Sequence, residues 1–535
     1  MQGFQSVNRD DQEWIRVWLQ RLSHEAELAK FFEPAGLSGM SELGQVLSTL
    51  SIEDPDRFNR FSTEVMPEVL RVLCATDRDE GAWEALYDAV LLKFPEMAAM
   101  DRGQILWLLR QLSETDALNH KLKRTLQSGE IDVAKGLDNW RTDVQNGSIL
   151  PDTLRPDAFQ LGENLAATAG DVVFENQLFQ LIQYHPRTPE VHANPMLLIP
   201  AYVNRFYILD LCDEHSMVRW LLDQGHTVFL ISWVNPTALL ANYEMTQYVL
   251  DGALTAVDQI ERMAPGAKIQ LMGYCAGGVI ASVLAAWMAA RGDHRIVSLT
   301  LLTTLLDYTH AGPLGQLVSG ERIEALRKPL TDLGYLPAEL MLRTFASLRP
   351  HDLLFGRMLN SYVFGERAKP FPLLHWLGDG TRTPAGLVLW TLEQLYLQNR
   401  LVSDEPLRLA GQEIRLSQIE IPVFIMAAEN DDISPWQGVV GVSDLFSGPV
   451  TLVLGKGGHN SGVINPPDHA RHDHLQLDPT VPLDLTRAKP VAGSWWLPWG
   501  VFLAESQGVL QSPIEPGGGI RPVIEAAPGR YVRQA

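Results

Sequence analysis

Cys275 stands in Gly273-Tyr274-Cys275-Ala276-Gly277-Gly278, after the apolar run Ile269–Met272 and before a helical stretch of small residues. A nucleophile between glycines at a strand-to-helix turn forms a nucleophile elbow. The glycines allow a tight, strained turn and let strand and helix approach each other. The start of a helix favours negative charge, so the arrangement suits a thiolate that attacks a carbonyl carbon. Cys74 and Cys212 lack this setting and are expected to be structural.

An elbow nucleophile needs a base and an acid, and this fold supplies them after later strands in the order nucleophile, acid, base. The run Pro422–Ala428 leads into Glu429-Asn430-Asp431-Asp432, and Val450–Leu454 leads into Gly455-Lys456-Gly457-Gly458-His459. Each lies just past the carboxyl end of its strand, where open α/β sheets bind ligands. Of the 14 histidines, His459 alone combines strand-end position with the required chain order. His472-Asp473-His474 has poor spacing for metal ligands, and no metal is expected. Gly455, Gly457 and Gly458 lack the Lys-Ser/Thr ending of a phosphate loop and instead shape the turn that presents His459.

The elements that must position these residues read as α/β. From about Pro151, short apolar runs alternate with helical stretches, the pattern of a parallel sheet covered by helices. The runs are Met196–Ile199, Thr227–Trp233, Lys268–Met272, Val297–Thr303, Pro422–Ala428 and Val450–Leu454. The expected organisation is an N-terminal helical domain over 1–150, a core over 151–306 and 408–506, a cap inserted over 307–407, and an extended tail over 507–535. The cap is too long for a plain crossover. In the N-terminal part, Trp14, Trp18 and Leu22, and then Trp83, Leu86, Tyr87 and Val90, form apolar stripes of helical period.

Composition narrows the class. With 46% hydrophobic and 20% charged residues over 535 positions, the chain can bury the core of a globular enzyme. A formal charge of −21 opposes binding to nucleic acid or anionic lipid, and no nucleic-acid partner is expected. Three cysteines and a start without a basic-then-apolar profile point to the cytoplasm. The apolar run Val279–Ala290 falls short of the about 20 residues that span a bilayer, so no transmembrane anchor is expected.

With Cys275 and His459 placed, blocks along roughly 162–499 resemble the polyhydroxyalkanoate synthase family. They include GENLAAT, LIQYHP, NRFYILDL, QGHTVFLISW, GYCAGG, LTTLLDY, LRPHDLL, YLQN, DISPW, GHNSGVINPP and GSWW, all in family order. The resemblance is closest to the class that polymerises short 3-hydroxyacyl-CoAs without an obligatory second subunit. It implies an α/β-hydrolase fold in which Cys275 is acylated, His459 is the general base and Asp431 is the third member. It further implies 3-hydroxyacyl-CoA as substrate, with CoA a part of the substrate and a product rather than a cofactor. The expected partners are the growing polyester chain, the granule surface and a second copy of the chain in a homodimer.

An oxyanion hole for such chemistry is expected from the backbone N–H of Ala276 and that of Val203, in the loop after Met196–Ile199. Arg349, in the LRPHD block, is a candidate for the CoA phosphates, since a guanidinium suits phosphate. Asp431 has two possible roles, orienting His459 or helping to deprotonate the incoming 3-hydroxyl; the second is the expectation. Two departures from the family stand out: Pro200-Ala201-Tyr202-Val203-Asn204 beside the acyl site, and Asp432 where the family carries histidine. A cysteine-dependent thioesterase or polyester hydrolase is the alternative reading, because the same residues would serve water as acceptor. A non-catalytic granule-docking protein is a third.

Overall fold

The computed structural model describes residues 133–148, 150–316, 318–348, 357, 359–478, 488–520 and 522–534. The apolar stripes expected before Val133, together with Cys74, lie outside the described residues.

The chain divides into two compact units, residues 1–155 with 339–370, and residues 156–338 with 371–535. Within the first, helix α1 (Val133–Gln145) packs by close backbone contact on the turn Leu359–Val363. A Cβ on Gly136 would lie 2.0 Å from the Tyr362 carbonyl oxygen, so only glycine fits. Arg367 joins the two segments of this unit by pairing with both Asp143 and Asp152.

The second unit is built on a mixed sheet of 11 strands. Its strands are β1 (Gly170–Glu175), β2 (Phe179–Tyr184), β3 (Met196–Ile199), β4 (Val228–Trp233), β5 (Ile269–Tyr274) and β6 (Ile296–Leu302). They continue with β7 (Val423–Ala428), β8 (Val450–Gly455), β9 (His474–Leu477), β10 (Lys489–Val491) and β11 (Glu525–Ala526). The spatial order is β10-β9-β8-β7-β6-β5-β3-β4-β2-β1-β11. Strands β3 to β8 are mutually parallel, whereas β1, β2, β9, β10 and β11 pair antiparallel. This is the α/β-hydrolase arrangement, extended at both edges.

The runs expected as parallel strands are β3 to β8. They read as unbroken apolar stretches because both faces of the sheet are covered. Alternate side chains divide between two cores. Ile199, Leu271, Leu301 and Ile425 point to one face, and Leu198, Met272, Leu302 and Phe424 to the other. Helix α2 (Ala276–Ala290) is apolar on nearly every side and buried along its length. On the opposite face, helix α3 (Trp496–Ala504) brings Trp496 and Trp499, with Trp495 just before it, into the other core. The antiparallel edges are less visible in the sequence, since β10 and β11 are short and carry exposed or charged residues.

Residues 307–407 connect β6 to β7 and include the helices Gly320–Leu333, Ala338–Leu348, Pro372–Gly378 and Ala385–Trp390. Asn399 ties the two ends of this connection together: its Nδ2 donates to Asp307 Oδ1 at 2.8 Å, and its Oδ1 accepts from the Tyr308 N–H at 3.0 Å. Both ends therefore return to the carboxyl edge of the sheet. The tail is paired rather than loose, with Leu510–Gln511 bonded to Val191–His192 and β11 bonded to β1.

Candidate active site

Strand β5 runs through Gly273 and Tyr274 and stops at Cys275, which has φ 53° and ψ −123° before α2 begins at Ala276. A non-glycine residue in this region is strained, and here the surroundings impose it. The Cys275 N–H donates to the Leu302 carbonyl at 2.9 Å, and the Gly278 N–H donates back to the Cys275 carbonyl at 2.9 Å. The flanking glycines are sterically required. A Cβ on Gly277 would lie 2.1 Å from the Ile199 carbonyl oxygen, and one on Gly273 would lie 2.4 Å from the Gly278 Cα. That first contact places the first turn of α2 against the end of β3 and hence beside the loop Pro200–Asn204.

Asp431 follows β7 and His459 follows β8, so register between these parallel neighbours carries both to one edge of the sheet. His459 Nδ1 donates to Asp431 Oδ2 at 2.7 Å, and the Asp431 side chain is fully buried. Asp431 Oδ1 accepts from the backbone N–H groups of Ile433 at 2.9 Å and Ser434 at 2.8 Å. Both carboxylate oxygens are thus engaged. These bonds suit orientation of the imidazole, and the role expected for Asp431 at the incoming hydroxyl is a matter for the kinetics of its variants. Burial disfavours charge on His459, but the Asp431 carboxylate, the Cys275 sulfur and hydrogen bonding to both outweigh it. The imidazole is held well above its ordinary range.

Tyrosines gather round the cysteine. Burial pushes the Tyr202 hydroxyl up to about 12, with the Cys275 charge adding to the shift, and Tyr202 Oη lies 3.2 Å from Thr391 Oγ1. Burial, with a contribution from Cys275, likewise raises Tyr274, Tyr308 and Tyr396. Tyr308 and Tyr396 meet edge to face with ring centroids 4.7 Å apart. At neutral pH these hydroxyls remain uncharged. Residue-by-residue reading did not single out Tyr308 or Tyr396. The signal was present in the blocks LTTLLDY and YLQN, which end on Tyr308 and begin on Tyr396.

The loop after His459 is held from several sides. Tyr274 Oη donates to Asn460 Oδ1. The Trp495 indole donates to the Gly462 carbonyl at 3.0 Å, and the Trp496 indole donates to the Val463 carbonyl at 3.0 Å. GSWW therefore bears on the position of His459 from a distance of more than thirty residues in sequence.

Of the remaining candidates, Ala276 opens α2 directly after the cysteine, and Val203 is half-buried in the loop that the elbow abuts. Arg349 lies outside the described residues. Asp432 is half-buried next to Asp431, and its backbone carbonyl faces Gly312. Cys212 sits far along the chain from the elbow; burial pushes its thiol up to about 11. Among the described residues, Cys212, Glu214 and His215 could each offer a ligand atom within 4.8 Å of one another. Burial, then Arg471 and His469, lowers the affinity of His215 for a proton, with Glu214 acting in the opposite direction. Among the described residues, no helix is long and apolar enough to cross a membrane.

Comparison with known proteins identifies relatives along most of the chain. A family model described as the poly-beta-hydroxybutyrate polymerase (PhaC) N-terminus matches residues 104–221, and a model of the alpha/beta hydrolase fold matches 194–466. The poly(3-hydroxyalkanoate) polymerase subunit PhaC of Cupriavidus necator is 38% identical over 427 residues, covering 78% of this chain and 72% of that protein. Its counterpart in Rhizobium meliloti is 36% identical over 416 residues, covering 77% and 68%. Poly(3-hydroxyalkanoate) polymerase 1 of Ectopseudomonas oleovorans is 32% identical over 445 residues, covering 81% and 79%.

Proposed function

The chain belongs to the poly(3-hydroxyalkanoate) polymerase family and is an acyltransferase, and on that premise we propose that it polymerises short-chain 3-hydroxyacyl-CoA through an acyl-Cys275 thioester, releasing CoA. The observation that carries this reading is the cysteine at the strained elbow, opposite a histidine held by a buried carboxylate.

In the loading step, His459 takes the Cys275 thiol proton and the sulfur attacks the thioester carbonyl. The backbone N–H of Ala276, with that of Val203, supports the oxyanion. The bond between the carbonyl carbon and the CoA sulfur breaks, and CoA leaves with the proton from His459. Loading exchanges one thioester for another and is nearly balanced in energy. In the second step His459 takes the proton of a 3-hydroxyl, whose oxygen attacks the acyl-Cys275 carbonyl. An oxygen ester forms, the thiol is restored and the transfer runs downhill. Repetition lengthens the polyester.

Asp431 keeps Nδ1 of the imidazole as the donor and Nε2 as the proton carrier in both steps. Arg349 is assigned to the CoA phosphates. The enzyme works in the cytoplasm as a homodimer at the surface of the polyester it makes, since an insoluble product collects around its source.

Incubation with 3-hydroxybutyryl-CoA tests the proposal. A polymerase yields insoluble polyester and free CoA, whereas stoichiometric soluble 3-hydroxybutyrate would instead identify a thioesterase.

A further inference from the structure

The residue before the cysteine is bonded to the residue after the histidine. Tyr274, the last residue of β5, is buried, and its hydroxyl donates to the Asn460 side-chain oxygen. Its ring lies 5.8 Å from that of His459, at an interplanar angle of 39°. We propose that Tyr274 and Asn460 form a clamp that sets the spacing between the Cys275 sulfur and the His459 imidazole, so that both are positioning residues for acyl transfer. The inference rests on the function proposed above.

The need for such a clamp follows from how the two groups are mounted. Cys275 is fixed by the sheet and α2, but His459 sits on a loop entered through Gly455, Gly457 and Gly458, and Gly457 adopts φ 134°. Glycines permit the turn but do not hold it. The bond to Asp431 fixes the ring at one nitrogen, and the Asn430 N–H holds the Gly457 carbonyl at 2.8 Å, but both of these ties run to the segment after β7 and not to the elbow. The tryptophan bonds restrain Gly462 and Val463, at the far end of the turn. Beside the hydrogen bond between His459 and Cys275 themselves, the Tyr274 bond links the histidine end of the loop to the strand that carries the nucleophile. Burial and the nearby Cys275 and Asp431 charges hold the Tyr274 hydroxyl well above its ordinary range, so it stays a donor at working pH. Loss of this hydroxyl leaves the Asn460 oxygen without its partner and lets the loop relax.

A displacement of about 1 Å between reacting groups can cost roughly 10²-fold in rate. Tyr274→Phe and Asn460→Ala should therefore each lower kcat with 3-hydroxybutyryl-CoA by roughly 10- to 100-fold while leaving KM within about twofold. The double variant should be no worse than the more impaired single variant, because both remove one bond. A second readout does not depend on the substrate: the rate at which iodoacetamide alkylates Cys275 at neutral pH, followed on the Cys275 peptide by mass spectrometry. It should fall severalfold in each variant, in step with the loss of kcat, while the thermal midpoint of wild type is retained. Wild-type kcat and alkylation rate in Tyr274→Phe, or additive losses in the double variant, would overturn the clamp. If wild type makes no polymer but the variants still slow alkylation, the clamp stands and the polymerase reading falls.

Discussion

The Asp431 carboxylate accepts from His459 Nδ1 at 2.7 Å through one oxygen and from two backbone N–H groups through the other. An aspartate bound in this way is placed to hold a tautomer of the imidazole. Asp431→Asn presents an amide that disturbs the preferred tautomer, as in hydrolase triads, where the equivalent change costs about 10⁴-fold. A loss of roughly 10²- to 10⁴-fold is expected here. It should fall equally on the first CoA released per enzyme and on sustained polymerisation, since both steps use the same imidazole. Rapid-quench and steady-state measurements on one preparation compare them. Normal first release with stalled extension would return Asp431 to the service of the hydroxyl.

Cys275→Ala should abolish CoA release from 3-hydroxybutyryl-CoA, because no other nucleophile occupies the elbow. Cys275→Ser should also be severely impaired: its alkoxide needs a stronger base, and its ester transfers less readily than a thioester. Trapping radiolabelled acyl groups on wild type and on Cys275→Ser provides the check. Turnover above about a hundredth of wild type in Cys275→Ala would exclude the covalent route.

Most of the central architecture was legible because β3 to β8 are buried on both faces and so appear as unbroken apolar runs. The elbow was legible for a different reason: glycine is dictated by contacts such as that of Gly277 with the Ile199 carbonyl, and those contacts leave a local pattern. Chain order located His459 and the acidic stretch Glu429-Asn430-Asp431-Asp432, and the family resemblance singled out Asp431 within it. What stayed hidden depends on side chains meeting from distant segments. Tyr308 and Tyr396 enter the site from opposite ends of the connection between β6 and β7, and no periodicity announces their contact. The role of Asp431 also depends on where each oxygen points, which spacing along the chain cannot express.

Two histidines should tilt the stability curve in opposite directions. Burial, with help from His192, lowers His226 from 6.5 to about 3. The unfolded chain then takes up a proton that the folded chain refuses, so the contribution of His226 is present above pH 6.5 and is lost as pH falls toward about 3. His459 is raised, so its contribution is full below the unfolded value of 6.5 and is lost as pH rises through the folded value. Urea midpoints across pH on wild type, His226→Leu and His459→Gln separate the two. The first variant should flatten the acid limb and the second the alkaline limb. An acid limb unchanged in His226→Leu would assign acid lability to the carboxylates instead.

The tyrosines beside Cys275 should govern which acyl groups enter. Tyr308 and Tyr396 pack edge to face, and the Cys275 charge adds to the rise of both hydroxyls; the prediction is that an acyl chain on the sulfur packs against these rings. A short 3-hydroxyacyl side chain fits against such a wall, whereas a longer one must displace a ring from its packing. Each extra methylene that a pocket cannot accept is worth about 1–3 kcal/mol of discrimination, or roughly 10- to 200-fold in kcat/KM. Tyr396→Ala removes one wall without touching Cys275, Asp431 or His459. It should raise kcat/KM for 3-hydroxyhexanoyl-CoA relative to 3-hydroxybutyryl-CoA by at least about tenfold. Tyr396→Phe should leave that ratio near wild type, because the ring and not the hydroxyl supplies the wall. If Tyr396→Phe shifts the ratio as far as Tyr396→Ala does, the hydroxyl is the discriminating group and selection is by hydrogen bonding rather than by volume.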